Sequence, residues 1–263
     1  MTDYTTLRYE QPAEHVVRIV LDRPSAANAL DSTLLGELSD AVERIDADDD
    51  VRVWLLTGAP RPDGRQWFSA GVDMKEALAG PVQQRVDPAR LVDRIDDMLT
   101  PSIAVIGGVC TTGALELVLA CDLRLAATTA RISDWHLKRS GLGIGAWGLS
   151  ARLSRLVGVD KAKELLLLSE EVDGDTAARI GLVNRSVPEA DLDRVALDMA
   201  TTIAARPRRG VRTTLGYLQL QAEMSKRDAI RWAELTPDFM GLTLRPFEDA
   251  AARFFDREST SGT

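Results

Sequence analysis

The sequence predicts an α/β core followed by a helical tail, on three features. Two short apolar runs bounded by Gly or Pro, VRVWLLTG (51–58) and PSIAVIGG (101–108), have the length and composition of buried strands. Between and after them, apolar residues recur every three or four positions, as in STLLGELSDAVERID and ARLVDRIDDMLT. From Glu189 onward only helical spacing remains. Strands with intervening helices first, and helices alone afterwards, place an α/β core in residues 1–188 and a helical region in 189–263.

Taken in order, TLRYE and HVVRIVLDR read as a pair of early strands, the second partly alternating. RPSAANALD is a turn-rich connection, and Asp31 is placed to cap the helix that follows. The acidic run Asp46 to Asp50 reads as a solvated helix end before the strand VRVWLLTG. APRPDGRQWFSAGVDMKEAL is rich in Gly and Pro and then turns helical, and AGPVQQRVDP (79–88) reads as a loop. ARLVDRIDDMLT is helical and precedes the central strand. VCTTG reads as a small-residue turn, ALELVLAC as a helix and LRLAATTARIS as one or two strands. SGLGIGAWGLS is a glycine-rich turn before the helices ARLSRLVG and KAKELLLLS, and TAARIGLVN is a helix ending at Gly181 with a short extended piece after it. The tail offers four helical stretches, EADLDRVALDMATTIAAR, RRGVRTTLGYLQLQAEM, DAIRWAELTPDF and PFEDAAARFFDR.

The composition bounds the function. A chain of 263 residues with 45% hydrophobic and 27% charged residues can bury a sizeable core. Its net charge of −8 and pI near 5.0 argue against a nucleic-acid footprint spread over the surface. No apolar run reaches the ~18 residues of a membrane span. The start MTDYTTLRYE lacks the basic and apolar regions of a secretory signal. Cys110 and Cys121 have no CxxC spacing and read as small apolar groups, and a cytoplasmic protein is expected.

Candidate chemistry centres on Glu116, the one polar residue within ALELVLAC. On a helix its neighbours are Thr112, Gly113, Leu119 and Ala120, so its carboxylate has little access to water. Burial raises a carboxyl pKa, which suits a proton-transfer group, although a buried pair with an arginine is the plain alternative. Thr111, Thr112 and Gly113 lie at the helix N-terminus, where unpaired N–H groups favour an anion. Other signals weigh less. Gly143, Gly145 and Gly148 spell a GxGxxG, but a polar HLKRS stands where the strand of a dinucleotide site belongs. His15 and His136 alone cannot make a metal centre. Asp134 and His136 suggest a serine hydrolase only on paper, because no GxSxG elbow accompanies them.

Three blocks, VLDRPSAANALD, WFSAGVDMKE and GGVCTTGALELVLACDLRLA with the downstream ARISDWHL, resemble the crotonase superfamily, the enoyl-CoA hydratase/isomerase family, over nearly the whole chain. The resemblance implies a spiral of stacked ββα turns and a C-terminal helical region that completes neighbouring subunits in homotrimers or dimers of trimers. It implies an acyl-CoA thioester substrate, an enolate held by two backbone amides, and no cofactor beyond the CoA that the substrate carries. Those amides fall on Val72 and Gly113. The CoA-binding positions fall on Ala26, Ala70, Gly71 and Asp73, with Phe254 and Arg257 reaching CoA from the tail; a solvated surface charge is the alternative for Arg257.

Glu116 matches the family's first catalytic glutamate. The second stands about twenty residues further on, and His136 occupies that place here, with Lys138 and Arg139 as alternatives in a slightly longer turn. A pocket histidine with only a hydrogen-bonding role is the plain reading of His136; a group titrating near neutral pH in place of a carboxylate is the catalytic one. Hydration of a 2-enoyl-CoA is the expected reaction. Isomerisation, decarboxylation and thioester hydrolysis, and a catalytically silent acyl-CoA-binding paralogue, are the alternatives.

Overall fold

The computed structural model describes residues 4–79 and 86–239. The loop read over 79–88 falls partly outside these residues, and Phe254 and Arg257 fall outside them altogether. The chain divides after Arg212 into two compact units.

In the first unit the elements run β1 (Leu7–Ala13), β2 (Val16–Leu21), α1 (Ser32–Ala47), β3 (Val53–Gly58), β4 (Trp67–Ser69), α2 (Met74–Leu78), α3 (Pro88–Asp97), β5 (Ser102–Ile106), β6 (Val109–Thr111) and α4 (Gly113–Ala120). They continue with β7 (Leu123–Ala127), β8 (Arg131–Ser133), α5 (His136–Ser140), α6 (Leu149–Val157), α7 (Val159–Leu168), β9 (Glu171–Asp173), α8 (Gly174–Arg179), β10 (Arg185–Val187) and α9 (Leu192–Ala204). α10 (Arg208–Gln221) crosses the division and α11 (Lys226–Phe239) follows it.

Among the described residues, ten strands form two sheets. The larger has the order β1-β2-β3-β5-β7-β10, antiparallel only between β1 and β2. The smaller has the order β4-β6-β8-β9, antiparallel only between β8 and β9. Successive strands thus alternate between sheets: β3 then β4, β5 then β6, β7 then β8. Each such pair is followed by one or more helices, which is a ββα spiral.

Local chemistry explains the elements. All five residues of β5 and the first four of β3 are buried, as parallel strands covered on both faces require. Asp31 caps α1 by accepting from the Leu34 N–H at 2.8 Å. α1 then buries Leu34, Leu35, Leu38, Ala41, Val42 and Ile45, the stripe that its periodicity predicts. Both cysteines are buried and free.

VCTTG differs from its expected turn, since its first three residues form β6. A three-residue strand has no periodicity of its own, and here the neighbours β4 and β8 supply its hydrogen bonds. The helix α5 and the strand β9 were likewise not expected. In the second unit, the Tyr217 hydroxyl on α10 donates to the Ala229 carbonyl on α11, while Leu218, Leu220, Ile230 and Leu235 stay exposed. Among the described residues, no helix is long and apolar enough to cross a membrane.

Candidate active site

The three parallel strands of the small sheet end at one place. Ala70–Asp73 follow β4, Thr112–Gly113 follow β6, and Asp134–His136 follow β8. Loops beyond the carboxyl ends of adjacent parallel strands are the common location of binding sites in α/β folds.

The first loop is braced on both sides. Ala70 N–H donates to Ala27 O at 3.0 Å, Leu30 N–H to Gly71 O at 2.8 Å, and Asp73 N–H to Leu30 O at 3.0 Å. This parallel bridge between Leu30 and Val72 uses the groups flanking Val72, so the Val72 N–H itself points to the opposite side. Ala26, Ala70, Gly71 and Asp73 therefore lie in one connected pair of loops. Buried Asn28 locks them, accepting from Arg23 N–H at 3.0 Å and donating to Ala59 O at 2.8 Å and Phe68 O at 3.2 Å. Arg23 pairs with Asp31 at 2.9 Å and Asp73 at 3.0 Å. Asp73 also caps α2 through the Lys75 and Glu76 N–H groups. Burial works to raise the Asp73 carboxyl pKa, but Arg23 and these amides outweigh it and hold the group below the usual carboxylate range.

The second loop touches the first. Gly71 has φ +83°, and a Cβ added to it would lie 1.9 Å from Thr112 Oγ1 and 2.8 Å from Thr111 O. Only glycine permits that approach. Thr112 has φ 53° and ψ −122°, a conformation costly for a non-glycine residue, and it turns the chain sharply from β6 into α4. Gly113, the first residue of α4, has no intrahelical acceptor for its N–H. The Trp147 ring packs directly on Gly113, since a Cβ there would lie 2.6 Å from it.

Glu116, one turn into α4, is 1% exposed. Its Oε2 accepts the Trp147 N–H at 2.8 Å and the Leu149 N–H at 3.0 Å, at the N-terminus of α6. Its Oε1 lies 3.8 Å from His136 Nε2. Burial raises the Glu116 pKa, while the two amides and His136 pull it partway back, and the net direction is up. The buried arginine pair weighed from the sequence is absent among the described residues; backbone amides and a histidine hold this carboxylate.

His136 opens α5. Its Nδ1 lies 2.6 Å from Asp134 Oδ1, and its backbone N–H donates to Asp134 Oδ2 at 3.2 Å. The hydrogen bond to Asp134 raises the His136 pKa, and the charge of Glu116 adds to it against burial. Of the three residues weighed for this position, His136 alone faces Glu116. Lys138 is exposed, and Arg139 stacks over Trp135 with its guanidinium carbon 4.2 Å from the ring centre.

Several members of the site carried no clear sequence signal. Trp147 and Leu149 reach Glu116 through backbone N–H groups rather than side chains. Arg152 fixes their loop by donating to Trp147 O at 2.7 Å while pairing with Asp93 at 2.7 Å and Asp96 at 2.8 Å. Among the described residues no cluster of three or more His, Cys, Asp or Glu could hold a metal ion.

The loop carrying Val72 touches the start of α4, and Glu116 lies buried one turn into that helix, an arrangement that could receive a carbonyl compound. Such a site suits an oxygen that gains negative charge while a nearby carbon exchanges a proton. The sequence pattern of the enoyl-CoA hydratase/isomerase family matches residues 11–236. A short-chain-enoyl-CoA hydratase of Clostridium acetobutylicum is 33% identical over 195 residues, covering 72% of each chain. The crystal structure of an enoyl-CoA hydratase from Bacillus anthracis superposes with a TM-score of 0.85 at 29% identity, over 96% of this chain and 97% of that one. A monofunctional enoyl-CoA isomerase from M. smegmatis superposes with a TM-score of 0.71 at 28% identity, over 85% and 97%. The chain belongs to the enoyl-CoA hydratase/isomerase family, and its spiral is the crotonase fold.

The contact between the two loops has a direct test. Gly71 and Gly64 have nearly the same backbone angle, φ +83° and +82°, but nothing lies within 4 Å of a Cβ on Gly64. Gly71→Ala is expected to lower stability by ~2–4 kcal/mol and Gly64→Ala by only ~1 kcal/mol, as read from denaturant unfolding. Equal losses would show that the loops are not in contact.

Proposed function

We propose that the protein hydrates 2-enoyl-CoA thioesters, as a hydro-lyase, through a thioester enolate held by the Val72 and Gly113 amides. The observation that carries this is the water-excluded Glu116 carboxylate beside an imidazole, adjoining the loop pair with its outward-facing Val72 N–H. Fixed amides stabilise the thioester oxygen as charge develops on it. Glu116 transfers the proton at C2, and His136 takes the proton of the attacking water. CoA is assigned to Ala26, Ala70, Gly71 and Asp73; the resemblance adds Phe254 and Arg257 across a trimer interface, two residues outside those the structure describes. CoA is part of the substrate, and the reaction uses no separate cofactor. The buried free thiols of Cys110 and Cys121 support a reducing, cytoplasmic setting.

Double-bond isomerisation is the second reading, favoured by His136 standing where a second glutamate is expected and by the likeness to a monofunctional isomerase. A single carboxylate can carry a proton between C2 and C4 without activating water.

Incubation with 2-enoyl-, 3-enoyl- and malonyl-type CoA thioesters, followed by mass spectrometry, separates these reactions. Hydration predicts that 2-enoyl-CoA gains one water, and Glu116→Gln is expected to lower that rate by ~10²–10⁴ with CoA binding retained. Near-normal turnover in the variant, or turnover of 3-enoyl-CoA alone, contradicts the reading.

The protein is further proposed to assemble as a trimer or dimer of trimers through its helical tail. The exposed Leu218, Leu220, Ile230 and Leu235 support this, because obligate interfaces are large and apolar. Light scattering at micromolar concentration is expected to give three or six copies; a monomer contradicts the assembly.

A further inference from the structure

Asp134 is buried, 3% exposed, and both of its carboxylate oxygens engage the same residue. Oδ2 accepts the His136 backbone N–H at 3.2 Å, and Oδ1 lies 2.6 Å from Nδ1. A side chain that served only to cap the short helix α5 would need the first contact alone. The second fixes the imidazole. With Nδ1–H donating to Asp134, the neutral ring carries its lone pair on Nε2, and Nε2 is the atom 3.8 Å from Glu116 Oε1. We propose that Asp134 is a positioning residue: it holds His136 in the tautomer and orientation that make Nε2 the base for water, forming an Asp134–His136–Glu116 proton-transfer array.

Resting on the enoyl-CoA reading above, the array gives a balanced cycle. A water proton passes to His136 Nε2 as the water oxygen bonds to C3. The C2–C3 π electrons move toward C2 and the thioester oxygen, where the amides take up the charge. Protonated Glu116 delivers its proton to C2, giving the 3-hydroxyacyl thioester. Glu116 is left as carboxylate and His136 as imidazolium, and return of the proton from Nε2 to Glu116 resets the site. The active form is therefore the pair holding one proton. The rate profile is bell-shaped, and its limbs belong to the pair rather than to either group. Among the described residues, the charged groups facing the ring are Asp134, from the end of β8, and Glu116, from α4; Lys138 and Arg139 on α5 are exposed. Asp134 raises the pKa of both members of the pair, so removing its charge moves the bell to lower pH.

The chain has two histidines, and His15, whose Nδ1 lies 2.8 Å from Asp50 O, serves as an internal reference. Nitrogen-15 NMR reads the ring titration and tautomer directly, without any substrate. In the unaltered protein, neutral His136 is expected to carry its proton on Nδ1; a proton on Nε2 overturns the proposal whether or not any variant folds. Asp134→Asn is expected to move the His136 titration to lower pH.

In the same variant, hydration should fall by ~10²–10⁴, the scale of losing the orienting carboxylate of a histidine base, with KM little changed and the bell displaced to lower pH. Deuterium exchange at C2 of a saturated acyl-CoA should fall by less, because it uses Glu116 and the amides. Asp134→Glu should recover part of the rate, and adding His136→Gln to Asp134→Asn should cause little further loss. An unchanged His136 titration, equal losses of hydration and exchange, or additive losses in the double variant overturn the role of Asp134. Absence of hydration by the unaltered enzyme defeats the hydratase reading instead, and the NMR result then decides Asp134 by itself.

Discussion

A carboxylate cut off from water must be neutral or must find donors, and Glu116, 1% exposed, finds them in the backbone of a loop thirty residues further along. Much of the surrounding sequence follows from that need. Gly145 must be small, since a Cβ there would lie 2.9 Å from Glu116 Oε2. Gly113 must be small because the ring of Trp147, whose amide holds Glu116, lies against it. Arg152 holds the Trp147 carbonyl and is itself held by two aspartates on α3. The glycine-rich stretch that spells a nucleotide motif is, in this fold, a cradle for a carboxylate. The donors are weaker than a full opposing charge, so they offset burial only in part and the pKa stays raised.

The sheets explain why the groups meet at all. Three short parallel strands cannot be stable alone, and the large sheet and α4 fix where each of them ends. Each end then delivers a different function: an outward amide after β4, a helix start after β6, and an aspartate with its histidine after β8. Asn28 and Arg23 do for the first loop what Arg152 does for the Trp147 segment, tying it to distant backbone and carboxylates. Asp73, which the resemblance assigns to CoA, has its carboxylate engaged by Arg23 and by α2. Those contacts tie the segment after Val72 to the Arg23 loop and to α2.

Much of this was legible beforehand, for physical reasons that differ by residue. Long elements such as α1 and α3 repeat their pattern enough times to be read, and caps such as Asp31 mark their starts. Glu116 was legible because a lone charge in an apolar helix has few explanations. β6 and β9 were not, since three-residue strands exist only through their neighbours. Trp147 and Leu149 were not, because they hold Glu116 through an N–H that any residue but proline supplies. Asp134 was visible as a neighbour of His136, but only the 2.6 Å contact shows the two acting as one group. The helical tail was read correctly as helical through α11, where the apolar spacing repeats over several turns.

The central claim is that the Val72 and Gly113 amides and the Glu116 carboxylate converge on one thioester. A crystal structure with a bound saturated acyl-CoA tests it most directly. The account predicts the thioester oxygen ~2.7–3.1 Å from both amide nitrogens, with C2 facing the Glu116 carboxylate. A thioester oxygen turned away from either amide, or a C2 remote from Glu116, would contradict it.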